Sequence, residues 1–405
     1  MAKLALLGGK PIVGKNKQWA SWPVSDKKDA ELVSKITLSN RWSYDGPTEW
    51  KFAEAFAKYQ GAKYGLCCAN GTVGIQLALE SLGIGAHDEV IVPGITWQAT
   101  AAACVDVNAI PILTDVEPDT WNLDLAAVEA NITKRTKAVI VVHLYGAVTD
   151  IAGLVKLCKK HNLFLIEDCA HAVGSYWKGK HAGTYGDLGV FSFQEFKQLS
   201  TGDGGMTTTM NTELMDKMAN VWAFSGESPH FMCLNYRMTA VTAAIGLAQL
   251  GKVGDIITYY NKTLAILNDA IKDCRWLKPR LVPADAKMSA YWFACAWEGD
   301  KYGLDYNRFK KLDKELGIGL RFGFNEQAPY EFDFFREAHA YGHPDCPVRC
   351  PIYTAKSDYR YKKGLCPNVE DVMPRLVTVR LIFLSMDEAK VMAEKLREAI
   401  RLMEK

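Results

Sequence analysis

The sequence has little charge of one sign. Its 48 lysines and arginines nearly cancel 46 acidic residues, leaving a formal net charge of +2 across 405 residues. So balanced a chain has no electrostatic footprint for nucleic acid or an anionic membrane surface, and neither is expected as a partner. Long apolar runs are missing too: no stretch approaches the roughly 18 uninterrupted apolar residues of a membrane span. The short apolar run before Gly8-Gly9 is too brief for a secretory core. No G-x-G-x-x-G follows a strand-like run and no G-x-x-x-x-G-K-[ST] occurs, so dinucleotide and P-loop folds have no support. Eleven cysteines, an odd number, share no regular spacing. Cys346, Cys350 and Cys366 lie near His339 and His343, but match no paired C-x-x-C zinc template. No metal is expected, and reduced thiols in a cytoplasmic protein are the plainer reading.

What is present is an ordinary globular composition, with 49% hydrophobic and 23% charged residues. One or two domains with sizeable cores are expected. Strand-like and helix-like runs alternate over residues 63–210, which predicts an α/β fold with a mainly parallel sheet and helices on both faces. After about residue 255 the pattern changes to long helices and alternating runs. We therefore expect a large domain over 1–255, including an N-terminal arm, and a smaller α+β domain over 256–405.

Two stretches carry the chemistry. The run Leu163 to Ile166 reads as a buried strand ending in Glu167-Asp168, with its acids at the end where open α/β sheets bind ligands. A second short strand, Gly189 to Phe193, leads to a turn holding Lys197 and then to Gly202-Asp203-Gly204-Gly205. Pyridoxal 5'-phosphate (PLP) needs an amine for its Schiff base and a carboxylate against its ring nitrogen. Lys197 and Asp168 supply both. Alone, an aspartate at a strand end is more often a cap, and a loop lysine is nearly always solvated; together and in this order they are far more specific.

Asn70-Gly71-Thr72-Val73 joins a strand to a helix start, where unpaired N–H groups and the helix dipole favour an anion. The same N-G-T fits a glycosylation acceptor, a use no secretory signal supports. Trp97, at the exit of the strand Glu89 to Pro93, can stack on a flat ring; core packing is its alternative. His143 reads as a core histidine. Arg380 is an odd charge in an apolar run: it can bind a substrate carboxylate, or sit on a surface or edge strand, the plainer reading.

The motifs EDCAHAVGS and S-F-Q-x-x-K followed by TGDGG resemble the signatures of the DegT/StrS-type sugar aminotransferases, and the similarity runs over most of residues 1–250. The resemblance implies a fold-type I PLP-dependent transferase acting as an aminotransferase. Lys197 would form the Schiff base and move the proton, and Asp168 would hold the ring nitrogen protonated. Trp97 and His171 would contact the ring; Gly71, Thr72, Val73 and Ser192 would hold the phosphate. Asn235, in N-Y-R-M, would cross to the other subunit's phosphate, which implies a homodimer with composite sites. Trp42 falls in a W-x-x-x-G-P loop placed near the site mouth. Gln194 is a departure: many nucleotide-sugar members carry His there, whereas members acting on carbocyclic ketones resemble this Gln more closely. The expected reaction moves an amino group from a donor amino acid, glutamate or glutamine, to a cyclic ketone such as a keto-cyclitol or keto-sugar. Gln194, Trp42 and Arg380 are its candidate substrate contacts. The alternatives are a nucleotide-sugar aminotransferase and a non-catalytic binder; a dehydratase of this family would carry histidine in place of Lys197. A proline-leucine-histidine element of the family falls near Phe324-Asn325-Glu326-Gln327, where this sequence lacks it.

Overall fold

The computed structural model describes residues 22–44, 46–222, 234–324, 328–337, 348, 359 and 361–405. Trp19, residues 325–327, Cys346, Cys350, His339 and His343 lie outside them. Helix α1 (Lys27–Leu38) opens on a capping box between Asp26 and Asp29. Helix α2 (Pro47–Gln60) starts on a proline and ends at Gly61, whose φ of 70° suits a residue without Cβ. The alternating region follows: β1 (Tyr64–Cys68), α3 (Gly71–Ser81), β2 (Glu89–Pro93), α4 (Ala99–Asp106), β3 (Ile110–Thr114), α5 (Leu125–Ala130), β4 (Thr136–Val142), α6 (Ile151–His161) and β5 (Phe164–Asp168). Two short strands, β6 (Tyr176–Trp177) and β7 (Lys180–His181), precede β8 (Leu188–Ser192) and β9 (Gly205–Thr209).

The large sheet runs β1-β9-β8-β5-β4-β2-β3. Strands β8, β5, β4, β2 and β3 pair in parallel. Every residue of β2, β3 and β8 is buried, as the near-continuous apolar runs of a sheet covered on both faces require. Strand β9 pairs antiparallel with both β1 and β8. The sequence reading leaves β9 out, and its composition explains why. Three of its five residues are threonines, buried because their hydroxyls donate to the carbonyls of Gly74, Gly183 and Asp187.

Helices α7 (Thr212–Trp222), α8 (Ala240–Leu250) and α9 (Val253–Ile271) lead out of this region. Then come β10 (Leu277–Pro279), β11 (Ala286–Lys287), β12 (Trp292–Trp297), α10 (Tyr306–Leu316), β13 (Arg321–Phe322), α11 (Asp333–Arg336), α12 (Pro367–Val372), β14 (Leu376–Arg380) and α13 (Met386–Met403). A second, antiparallel sheet has the order β10-β12-β14-β13. Its core gathers Trp276, Phe293, Trp297 and Phe309 with Leu267 of α9 and Leu396 of α13. Part of the C-terminal chain turns back to the first core, where Tyr330, Phe335, Val369 and Val372 are packed. The hydroxyls of Tyr359 and Tyr361 donate to the carbonyls of Leu113 and Pro111 on β3. Cys366 is buried against Gly94, where an added Cβ would lie 2.7 Å from its sulfur.

Among the described residues no single helix is long and apolar enough to cross a membrane; α8 and α9 meet both conditions only together, across a 59° bend. Their apolar faces are spent inside the protein, with Ala243, Ala244, Ile256, Tyr260 and Leu267 buried.

Candidate active site

Strand β5 lies between β4 and β8, and Asp168 is its last residue. Two adjacent carboxylates stand there on opposite faces, since side chains alternate along a strand. Glu167 is fully buried and accepts from the Gly183, Tyr185 and Gly186 amides at 2.7–2.8 Å. It also pairs with the His143 ring at 3.0 Å. Burial pushes Glu167 up, but the donors, His143 foremost, outweigh it and hold the acid below its usual range. His143 is thus a satisfied core histidine. Its ring, Glu167 and Cys169 bring possible metal-ligand atoms within 4.8 Å of one another, but the carboxylate is already taken up by these donors.

Asp168 faces the other way. One oxygen accepts from the Thr100 hydroxyl at 2.9 Å, the other from the Ala170 amide at 3.0 Å. The Thr100 hydroxyl meets that of Thr96 at 2.9 Å, so a file of two threonines, one on the β2–α4 connection and one in the first turn of α4, aims the acid. Burial raises Asp168 above the ordinary carboxylate range, against the pull of Ala170, Thr100 and Lys197.

Lys197 sits in the turn after β8. Gln194 builds that turn: its side-chain oxygen accepts from the Phe196 amide at 2.9 Å, and its carbonyl from the Lys197 amide at 2.8 Å. The lysine amine lies 5.1 Å from the centre of the Tyr291 ring. Burial drives its pKa down to about 8; Asp168 opposes this and Arg380 adds to it. The resulting amine is a far better base near neutrality than a surface lysine. Asp168 and Lys197 are therefore close enough to act on each other's charge, as the sequence reading requires.

His171 is half-buried, with its ring 4.4 Å from that of Tyr291 and nearly parallel to that of Tyr145. Its Nδ1 accepts from the Tyr145 amide at 3.3 Å. Burial, helped by the charges of Lys197 and Arg280, holds its pKa well below the usual histidine value. The ring is therefore neutral with its proton on Nε2.

The anion cradle forms where α3 begins. Asn70 caps the helix, its side chain accepting from the Val73 amide at 2.9 Å. Val73, expected among the phosphate donors, spends its amide on that cap; the amides of Gly71 and Thr72 head the helix. Gly71 faces Ser192, and a Cβ on it would stand 2.9 Å from the serine Cβ. The Tyr236 carbonyl accepts from the Ala69 amide at 2.9 Å, which docks the Asn235 segment beside this cradle. Asn235 itself is exposed, and its side-chain oxygen accepts from the Arg237 amide at 3.4 Å.

Trp97 is 56% exposed, which corrects the core-packing alternative. Trp42 is 55% exposed, its indole N–H bonded to the Thr37 carbonyl and its own carbonyl to the Ala240 amide. The edge-strand reading of Arg380 is corrected: β14 is paired on both sides, by β12 and β13. The guanidinium is half-buried, 4.5 Å from the Phe196 ring and 5.1 Å from that of Trp292. Thr100, Asn70, Tyr145 and Tyr291 escape the sequence reading as site residues. Asn70 alone left a signal, a capping residue directly before a glycine helix start.

These side chains fit PLP. A glycine that a Cβ would block stands at the helix start with a serine beside it, a desolvated amine lies near a buried acid, and an exposed indole follows Thr96, whose hydroxyl meets the Thr100 that holds the acid. An α/β sheet carrying that arrangement fits a PLP-dependent enzyme. The model of the DegT/DnrJ/EryC1/StrS aminotransferase family matches residues 23–376, and the chain belongs to that family. It is 34% identical over 340 residues to an L-glutamine:2-deoxy-scyllo-inosose aminotransferase of Streptomyces kanamyceticus, covering 78% of this chain and 79% of that one. It is 37% identical over 343 residues to a putative L-glutamine:3-amino-2,3-dideoxy-scyllo-inosose aminotransferase of Micromonospora echinospora, covering 81% and 80%. Among solved structures, 3-amino-5-hydroxybenzoic acid synthase superposes with a TM-score of 0.81 at 25% identity, over 95% of this chain and 99% of that one.

Proposed function

We propose that this aminotransferase takes its amino group from L-glutamine and delivers it to the ketone of a free cyclitol of the scyllo-inosose class. The two inosose aminotransferases it resembles support both substrates. The observation that carries the reaction is the placement of a buried acid and a buried amine: Asp168, held by Thr100 and Ala170 at the end of β5, and Lys197, in the turn after β8, each within reach of the other's charge.

Bound PLP supplies the electron sink that lets a Cα–H bond ionise. The chain's residues do the rest. Lys197 would hold the cofactor through its Nζ. Freed by the donor's amine, that Nζ would be the base that moves the Cα proton, in one direction with the donor and in the other with the ketone. Asp168 keeps the ring nitrogen protonated, aimed by Thr100 and Thr96. Trp97 and His171 would contact the ring, and the His171 Nε2–H is free of the Tyr145 amide that its Nδ1 accepts. Gly71, Thr72 and Ser192 hold the phosphate. Gln194 and Trp42 stand as substrate contacts: the Gln194 amide nitrogen has no hydrogen-bond partner among the described residues, and Trp42 is exposed near the Asn235 segment.

We place the chain in a homodimer, with Asn235 reaching the partner's phosphate site; the exposure of Asn235 and of the aromatic Trp42 and Tyr44 supports this. We also divide the chain into a large domain over 1–255 and a small one over 256–405, with Tyr330, Phe335, Val369 and Val372 of the second stretch packed into the first core. The eight cysteines among the described residues are free thiols, which suits the cytoplasm.

The test is spectroscopic. Holoenzyme mixed with L-glutamine should lose its PLP absorbance and gain that of the amine form, and an inosose should restore it. Lys197→Ala should abolish both steps. Recovery only with nucleotide-linked keto-sugars would refute the cyclitol assignment, and sedimentation as a monomer would refute the dimer.

A further inference from the structure

Resting on the aminotransferase reading above, we propose that Arg380 and Arg321 form the seat for the α-carboxylate of the amino donor. The register of the small sheet sets Arg380 opposite Trp292 and Arg321 opposite Thr378. Paired residues and residues two apart on a strand share a face. Arg380, Trp292, Thr378 and Arg321 therefore stand together on one face. That face meets the lysine turn, because Arg380 lies over the ring of Phe196, the residue before Lys197. Tyr291, next to Trp292, lies 5.1 Å from the lysine amine.

The two arginines lack what such charges need. Among the described residues neither forms an ion pair or donates a hydrogen bond, and the Arg380 Nε is buried without a partner. The charged groups near Arg380 are Tyr291 and two further cations, Arg321 and Lys197. Ring faces stabilise a guanidinium but accept none of its in-plane N–H groups, so the donor fork stays open. Two like charges brought together beside an open fork call for an anion, and a carboxylate matches the fork with two parallel hydrogen bonds.

The position of this seat selects the donor. An α-carboxylate is attached to the carbon whose proton Lys197 removes, so its seat must lie next to the lysine. Fixing it also fixes rotation about the Cα–N bond and turns the C–H bond toward the amine. A cyclitol ketone carries no charge, and a nucleotide's phosphates lie many bonds from its reacting carbon. Arg380 grips the anion, while Arg321, exposed and 5.6 Å from the Trp292 ring centre, draws it in from solvent.

The two half-reactions separate this proposal from the functional reading. In the holoenzyme, Arg380→Gln should lower kcat/KM for L-glutamine about 100-fold, with Arg380→Lys intermediate and recovery with the ketone within about threefold of the parent. Arg321→Gln should cost about threefold at low salt and nothing at high salt. Glutaramate, which is glutamine without its α-amino group, should raise the pH midpoint of the cofactor's absorbance, because an anion beside the lysine nitrogen favours its protonated form. The neutral diamide should not, and neither should act on Arg380→Gln. If Arg380→Gln does not load cofactor, Arg380→Lys and the glutaramate titration of the parent decide. A glutamine arm untouched by these changes, a loss confined to the ketone arm, or equal shifts with glutaramate and the diamide would overturn the proposal. Failure of every cyclitol ketone alongside an intact, Arg380-dependent glutamine arm would count against the acceptor assignment alone.

Discussion

Adjacent on β5, Glu167 and Asp168 are chemically identical groups but for one methylene, and their surroundings give them opposite tendencies. Glu167 has donors enough to offset its desolvation; Asp168 has two neutral donors and a lysine, and burial wins. Thr100 is the adjustable member of that second set. Thr100→Val keeps the shape and removes the hydroxyl, a hydrogen bond to an ionised group worth about 1.5–3 kcal/mol. The donor half-reaction should slow about 10- to 100-fold. Since Thr100 favours the charged form of Asp168, its loss raises that acid further. The acid limb of the kcat/KM profile for L-glutamine should therefore move to higher pH, with a loss of thermal stability of at most that same order. An unmoved limb would show that Thr100 does not tune Asp168.

At the scale of elements, the helix that heads the anion cradle depends on one cap. Asn70→Ala removes the acceptor of the Val73 amide and should cost about 1 kcal/mol of stability, read by thermal melting. It should also weaken PLP binding several-fold, read by fluorescence titration, because a frayed first turn no longer holds the Gly71 and Thr72 amides in place. Asn70→Asp keeps the cap but sets a negative charge beside the phosphate, so stability should survive while affinity falls. Much of this architecture was legible in the sequence. The bounds of α1 and α6 and of β2 follow from apolar periodicity and capping residues, and the order of Asp168 and Lys197 pointed to the cofactor. Other parts left no pattern. Threonine-rich β9 hides because its burial rests on side-chain hydrogen bonds rather than on apolar alternation. Tyr291 reads as the first residue of a strand, and only the packing of the small sheet against the lysine turn brings it to Lys197. Arg380 looks like an edge charge until β13, two residues long, pairs with its strand.

Over the whole molecule, the segment after β10 ties the small sheet to the turns that shape the site. Lys278 pairs with Asp119 at 2.6 Å, and the Leu281 amide donates to the Asp119 carbonyl at 3.0 Å. Between them Arg280 donates to the carbonyls of Thr120 and Leu144 and to the Asn122 side chain, lying 5.4 Å from the Trp121 ring centre. Those two carbonyls directly precede Trp121 and Tyr145, both held at φ 54°, a region that side chains other than glycine's enter only at a cost. Arg280 thus braces two strained turns at once, and the second presents the Tyr145 amide to His171. Burial brings the arginine's own pKa down to about 9, so holding it there is itself unfavourable unless all its acceptors stay engaged. Arg280→Met leaves three acceptors without their donor and should cost about 2–4 kcal/mol in urea unfolding. Arg280→Lys should recover little of that, because a single ammonium cannot span acceptors on two separate turns. The same change frees Tyr145 and with it the His171 tautomer, so the nitrogen shifts of His171 should move toward a mixture of Nδ1–H and Nε2–H forms even without cofactor. A variant that lost stability but kept a single His171 tautomer would show that the brace serves the fold alone.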